Sequence, residues 1–244
     1  MRWIYSFFVL IVLAACGAAD RTPVPLEYSR AADTVVLELT SGGGMMPFGY
    51  IKINATPLFR LYGDGRAIYR HYNGARTMRW ETVSFAPIEV AALLRDVLGP
   101  NQELCLPIAV PPSQQTDSNF TRITVNLASQ TCAAVAENIG SEQRPELFGD
   151  QADLFDQIEH AHNAIGTIIR QTAQPYQPAA VTIYVDAISD SNQAEPWPFA
   201  AELLKDQLVV SGTQAAALLE HASLPRDFTS DDHFFQVVVV PVLP

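Results

Sequence analysis

An α+β fold, mainly antiparallel sheet with β-hairpins and about three helices, is what this sequence predicts, and three features carry the prediction. In FRLYGDGRAIYR, Phe59 to Arg70, an Asp-Gly pair separates two apolar, aromatic runs. That is the strongest short-range hairpin signal, because the turn needs positive φ and Asp and Gly tolerate it. Between Leu154 and Ile168, apolar residues at 154, 158, 161, 165 and 168 step by 4, 3, 4 and 3, so one face of a helix is buried. HFFQVVVVPVLP ends in a continuous apolar run that reads as a central strand covered on both faces.

The elements follow in chain order. TVVLELT (Thr34–Thr40) is β-branched with partial alternation and predicts a strand. TSGGGMMPFGY follows, then GYIKINATPLFRLY, read as strand interrupted at Pro57, which belongs at a bend or a sheet edge. The hairpin arms are Leu58–Tyr62 and Ala67–Tyr72, and Arg79–Phe85 is a further strand. In APIEVAALLRDVLGP, Val90, Leu93, Leu94 and Val97 recur at helical spacing, and Gly99-Pro100 stops the helix. After a loop rich in Pro, Gln and Ser, NFTRITVNLASQTCAAVAEN predicts a second hairpin turning near Ala128–Gln130. The longest helix spans about Glu146 to Gln171. AAVTIYVDAI (Ala179–Ile188) is a strand, and DQLVVSGTQAAALLEHASLP runs from strand into helix with Ser211 as the expected N-cap.

Val83–Pro100 and Leu208–Pro225 align without gaps at an offset of 125, and both read strand, "AALL" helix, proline stop. The expected organisation is one α+β globular domain over 34–244, with 34–100 and 119–244 as possible related halves.

The first residues, MRWIYSFFVLIVLAACGAAD, hold one Arg, an apolar run from Ile4 to Leu13, and small residues before Cys16. This is the layout of a secretory signal, and the apolar run is too short to span a membrane core of about 30 Å. Residues 17–33 lack periodicity and predict a flexible tether about 20–25 Å long. The formal net charge of −11 argues against nucleic acid and against anionic lipid surfaces. Beyond Cys16 only Cys105 and Cys132 remain, and an even pair in an oxidising compartment predicts a disulfide, two buried thiols being the alternative.

Leu13-Ala14-Ala15-Cys16 resembles the lipobox of bacterial lipoproteins. With TSGGGMMPFGY, LYGDGRAIY and the terminal VVVVPVLP, the chain resembles a group of uncharacterised bacterial exported lipoproteins. The resemblance implies a signal peptide over 1–15, lipid attachment at Cys16, a tether over 16–33 and anchoring on the exported side of a cell membrane or outer membrane. It implies no catalytic residue. Where such proteins often carry Arg before the Pro that closes the last strand, this chain has Val240 before Pro241.

The glycines fit no phosphate-binding pattern. Gly42-Gly43-Gly44 is followed by Met45-Met46-Pro47 with no Lys, and Gly63-Asp64-Gly65 sits inside a hairpin, so both turn the backbone and no nucleotide is expected. His71, His160, His162, His221 and His233 show no zinc spacing. Asp231-Asp232-His233 and Asp190-Ser191-Asn192 lack a calcium-loop ligand series. No G-x-S-x-G or S-x-x-K is present. No cofactor, metal or catalytic residue is therefore assigned.

Arg60, Arg66, Arg70, Arg76 and Arg79 crowd into a short stretch of an acidic chain. They could bind an anion such as a cell-wall polymer or a partner's acidic patch. The favoured reading is plainer: hairpin arms facing water, charged to discourage edge pairing. The functional expectation is a non-catalytic envelope module that binds or scaffolds an envelope protein or cell-wall partner. An envelope hydrolase with a site assembled from distant residues is the alternative.

Overall fold

The computed structural model describes residues 26–44, 46–72, 78–111, 118–140, 146–171, 173–189, 191, 193–204, 207–230 and 233–244, the Phe48 side chain excepted. The elements are β1 (Val35–Gly43), α1 (Phe48–Asn54), β2 (Phe59–Tyr62), β3 (Arg66–Tyr72), β4 (Met78–Ser84), α2 (Pro87–Leu98), β5 (Asn119–Asn126) and β6 (Thr131–Glu137). There follow α3 (Asp150–Ile169), β7 (Gln174–Pro175), β8 (Ala180–Ile188), β9 (Glu195–Pro196), β10 (Gln207–Ser211), α4 (Thr213–Ala222), β11 (Arg226–Ser230) and β12 (His233–Pro241).

Two sheets result. One has seven strands in the order β6-β5-β1-β2-β3-β4-β7, and the other five in the order β10-β8-β12-β11-β9. All pairs are antiparallel except β11–β9. The fold is α+β, as the sequence predicts.

Alternation sends side chains of the seven-stranded sheet into two cores, one face being covered from β1 to β6 and the other over β2 to β4. One face presents Leu37, Leu39, Phe59, Leu61, Tyr69, Ile123 and Val125, and α2 and α3 cover it with Val90, Leu94, Leu154, Ile158 and Ile165. The other presents Tyr62, Ile68, Met78 and Trp80 to a second core, built from Ile53 of α1, the β8 and β12 valines, and Leu218 and Leu219 of α4. Ser223 Oγ donates to the Met78 carbonyl (2.8 Å), and Tyr62 donates to Pro244 O (3.2 Å), so hydrogen bonds also tie the seven-stranded sheet to the segments that follow α4 and β12. β12 lies between β8 and β11, and Val237 to Val240 are all buried, which is why its sequence is apolar without a break.

The Asp-Gly turn is the β2–β3 connection. Gly65 has φ 89°, and a Cβ there would run into the Phe85 carbonyl. The second hairpin joins β5 and β6, closed by Leu127 N donating to Gln130 O (2.8 Å). Gly99, φ 84°, ends α2 as expected.

Three expectations need correction. GYIKIN is helical, not strand: Ile51 and Ile53 alternate as in a strand, yet only Ile53 is buried, and α1 starts directly after Pro47. Packing on β12 decides the conformation, and Gly49 permits it, since a Cβ there would lie 2.5 Å from the Pro225 ring. The glycine triplet therefore does precede a helix, with Gly43 and Gly44 at φ 100° and 75°. Ser211 is not an N-cap; it ends β10, and Gly212 at φ 77° holds the cap position.

Residues 26–30, within the expected tether, lie against the body. Tyr28 is buried with its hydroxyl 3.5 Å from Pro87 O, and the Arg30 guanidinium stacks 4.5 Å from the Tyr28 ring centroid. The aligned segments Val83–Pro100 and Leu208–Pro225 run from β4 into α2 and from β10 into α4, one in each sheet. β5, β6 and β7, from 119–244, complete the sheet begun by β1 to β4.

Candidate binding site between α1 and the arginine face

Register decides where the arginines go. Arg60 is opposite Glu38 and Ile68, Arg70 is opposite Trp80, and Arg66 is opposite Ser84. Arg60, Arg66 and Arg70 therefore share the face that carries Ile68 and Trp80. Arg122, opposite Thr40, extends the row, and no local sequence pattern links it to the others, since it lies over fifty residues from Arg70. Arg79 is opposite His71 and points to the other face. Arg76 and Cys16 lie outside the described residues.

These arginines do not simply face water. Arg60 pairs with Glu38, Nη2 to Oε2 at 2.6 Å, with only 20 % of its side chain exposed. Arg66 donates from Nη2 to Ala32 O (3.0 Å) and stacks 4.9 Å from the Tyr62 ring centroid. Arg70 is 1 % exposed. Its Nη1 donates to Ile53 O (3.2 Å), Asn54 Oδ1 (3.1 Å) and Tyr72 Oη (3.4 Å). Burial pulls its pKa down from the ordinary arginine value, and the nearby Tyr72 hydroxyl opposes the shift. Among the described residues no carboxylate forms an ion pair with it. The guanidinium instead holds the last turn of α1, where the exposed carbonyls carry partial negative charge.

That clamp fixes a surface. Tyr50 and Ile51 on α1 are 41 % and 54 % exposed, and Tyr72 is 45 % exposed. Asn54 lies four and three residues beyond Tyr50 and Ile51, so on the helix it neighbours both. It also meets the same guanidinium group as Tyr72. Two tyrosines and an isoleucine thus gather around Asn54, with Lys52 alongside, its Nζ 5.0 Å from the Tyr184 ring centroid.

Other polar groups meet elsewhere. Glu81, nearly buried, accepts from the Ala173 amide (3.3 Å) and lies 3.2 Å from His71 Nδ1. Across the strands from it, Tyr69 is pushed up to about 12, first by burial and then by the Glu81 charge. Asp96 Oδ1 and His160 Nε2 are 2.9 Å apart, both half-exposed, in an open groove of about 610 Å³ lined also by Arg95 and Gln157. His162 is held below the ordinary histidine value, chiefly by burial.

Cys105 and Cys132 form a disulfide that ties the 3-10 turn Glu103–Cys105 to β6. Asp190, Asn192, Asp231 and Asp232 lie outside the described residues. Among the described residues no three His, Cys, Asp or Glu side chains group closely enough to hold a metal ion, and no helix is long and apolar enough to cross a membrane. In comparisons with known proteins, no family model matches the chain, and neither does any curated protein or solved structure.

Proposed function

We propose that this chain is a lipid-anchored, non-catalytic module of the cell envelope that docks another envelope protein through the α1–Tyr72 surface. The observation that carries the reading is the presence of three large, exposed side chains, Tyr50 and Ile51 on the helix that Arg70 clamps and Tyr72 at the end of β3, whose hydroxyl accepts from the same guanidinium. Tyrosines on a rigid support are the residue type that dominates protein interfaces, since they bury much area at little entropic cost. The charge of −11 disfavours an anionic lipid surface as the occupant, so a protein is the fitting partner. Cys16, as the acylated residue of a lipobox, supplies the anchor.

The test is cross-linking in cells with identification of what is captured. It compares the wild type with Cys16→Ala and with a Tyr50→Ser, Ile51→Ser double variant. One or two reproducible partners, lost in the double variant while the protein stays folded, are expected. Capture unchanged by the double variant removes this surface from consideration. A Cys16→Ala protein that stays anchored removes the lipid reading.

The Asp96–His160 contact favours a second reading, an envelope hydrolase in which Asp96 orients His160 as a base. Turnover of an ester, amide or glycoside substrate that His160→Ala abolishes would establish it. Turnover that survives His160→Ala would remove this pair from the chemistry.

A further inference from the structure

We propose that Arg70 and Trp80 bind one small monovalent anion, of halide size, between the seven-stranded sheet and α1. The two residues face each other directly across β3 and β4, so their side chains leave the same face with Cβ atoms about 5 Å apart. Both are buried, at 1 % and 3 % exposure. Arg70 Nε and Trp80 Nε1 are each enclosed and have no hydrogen-bond acceptor among the described residues. Two orphaned donors on facing positions of one sheet call for a shared acceptor, because each left unmade costs about 1–3 kcal/mol.

Charge selects the kind of acceptor. The guanidinium remains protonated at any physiological pH. Its Nη1 partners are a carbonyl, an amide oxygen and a hydroxyl, all neutral. A buried cation without an anion is expensive, and a water molecule would satisfy the N–H groups without cancelling the charge. A single negative charge does both. The three acceptors already at Nη1 leave the Nε side for the ligand, which favours a compact ion over a phosphate-sized one with more oxygens to satisfy.

Binding would stabilise more than the ion's own site. Arg70 holds the Ile53 carbonyl and Asn54, so neutralising it secures the last turn of α1. This inference does not depend on the docking surface proposed above.

The experiment uses the full chain, purified in detergent. Its thermal unfolding is followed at constant ionic strength while gluconate, too large to be enclosed, is replaced stepwise by bromide. A saturable rise in Tm is expected. In Trp80→Phe, which deletes one N–H and keeps an aromatic ring, half-saturation should need at least tenfold more bromide. In Arg70→Met the saturable rise should vanish. Should Arg70→Met fail to fold, Trp80→Phe carries the comparison, since each protein is its own reference in gluconate. Crystals grown in bromide should show an anomalous peak within hydrogen-bonding distance of Arg70 Nε and Trp80 Nε1. Equal Tm in the two salts, a bromide response unchanged in Trp80→Phe, or density at the site with no anomalous signal, meaning water, would each overturn the proposal.

Discussion

Reducing the Cys105–Cys132 bridge should cost about 3.5 kcal/mol of stability, through the unfolded chain more than through the folded one. The two cysteines are 27 residues apart. Closing a loop of that length removes chain entropy worth about 3.5 kcal/mol, roughly a 300-fold change in the ratio of folded to unfolded molecules. The native contacts around the bridge have supports of their own. Leu104 is 1 % exposed in the core under α2 and α3, and Glu103 accepts from the Asn101 amide (3.2 Å) and side chain (2.8 Å). The reduced protein should therefore keep its fold. Urea unfolding with and without reductant measures the difference, and with a slope of about 2 kcal/mol/M the midpoint should fall by roughly 1.7 M. A Cys105→Ala, Cys132→Ala variant should agree with the reduced wild type to about 1 kcal/mol, the remainder being the small cavity left at Cys132. A midpoint that does not move on reduction would refute the entropic reasoning. Loss of the β5–β6 hairpin on reduction would show instead that the bridge supports native structure.

Two glycines give opposite signs for one chemical change. Gly49→Ala gains about 1 kcal/mol of helix propensity but drives a methyl against the Pro225 ring, an overpacking cost of about 1–3 kcal/mol, so thermal unfolding should show a net loss of up to about 2 kcal/mol. Gly166→Ala in α3 meets only Arg170 Nη1 at 3.9 Å and should gain about 0.5–1 kcal/mol; a gain at both positions would mean that α1 is not seated on Pro225. Tyr69 should titrate near 12 by phenolate absorbance, and Glu81→Gln should lower that value only partly, since burial is the larger cause. Between about pH 10 and 12 the folded Tyr69 keeps a proton that the unfolded chain has released, so stability should fall as pH rises through that window. A Tyr69 that titrates with the exposed tyrosines would show that it is not enclosed.

Most of the fold was legible because most elements advertise themselves locally. The Asp-Gly turn, the helical spacing in α2 and α3, and the unbroken valines of β12 each identify one element within a dozen or so residues, and the structure places each where the pattern puts it. α1 was not legible. In GYIKIN the β-branched residues alternate as a strand would, and the information that overrides them sits elsewhere in the chain, at Pro225 and in β12. A seven-residue helix has too little propensity of its own to announce itself. The surface around Tyr50, Ile51 and Tyr72 went unread for the same reason, since its residues meet only once α1 is a helix.

The arginines show a different limit. Period two does assign Ile68, Arg70 and Tyr72 to one face of β3, and the chain alone reveals that much. It does not reveal which face a second sheet will cover, and the expectation that charged residues face water is the right prior for an isolated hairpin. Here five further strands, with α1 and α4, close over that face, and Arg70 goes from a solvated charge to a buried one. A lone hydrophobic residue at that position would have packed there at no electrostatic cost. Keeping a guanidinium makes sense only if its donors are used, by the end of α1 on one side and by a counter-ion beside Trp80 on the other. That is why the feature that sequence patterning predicts least well is also the one that points most directly to a ligand.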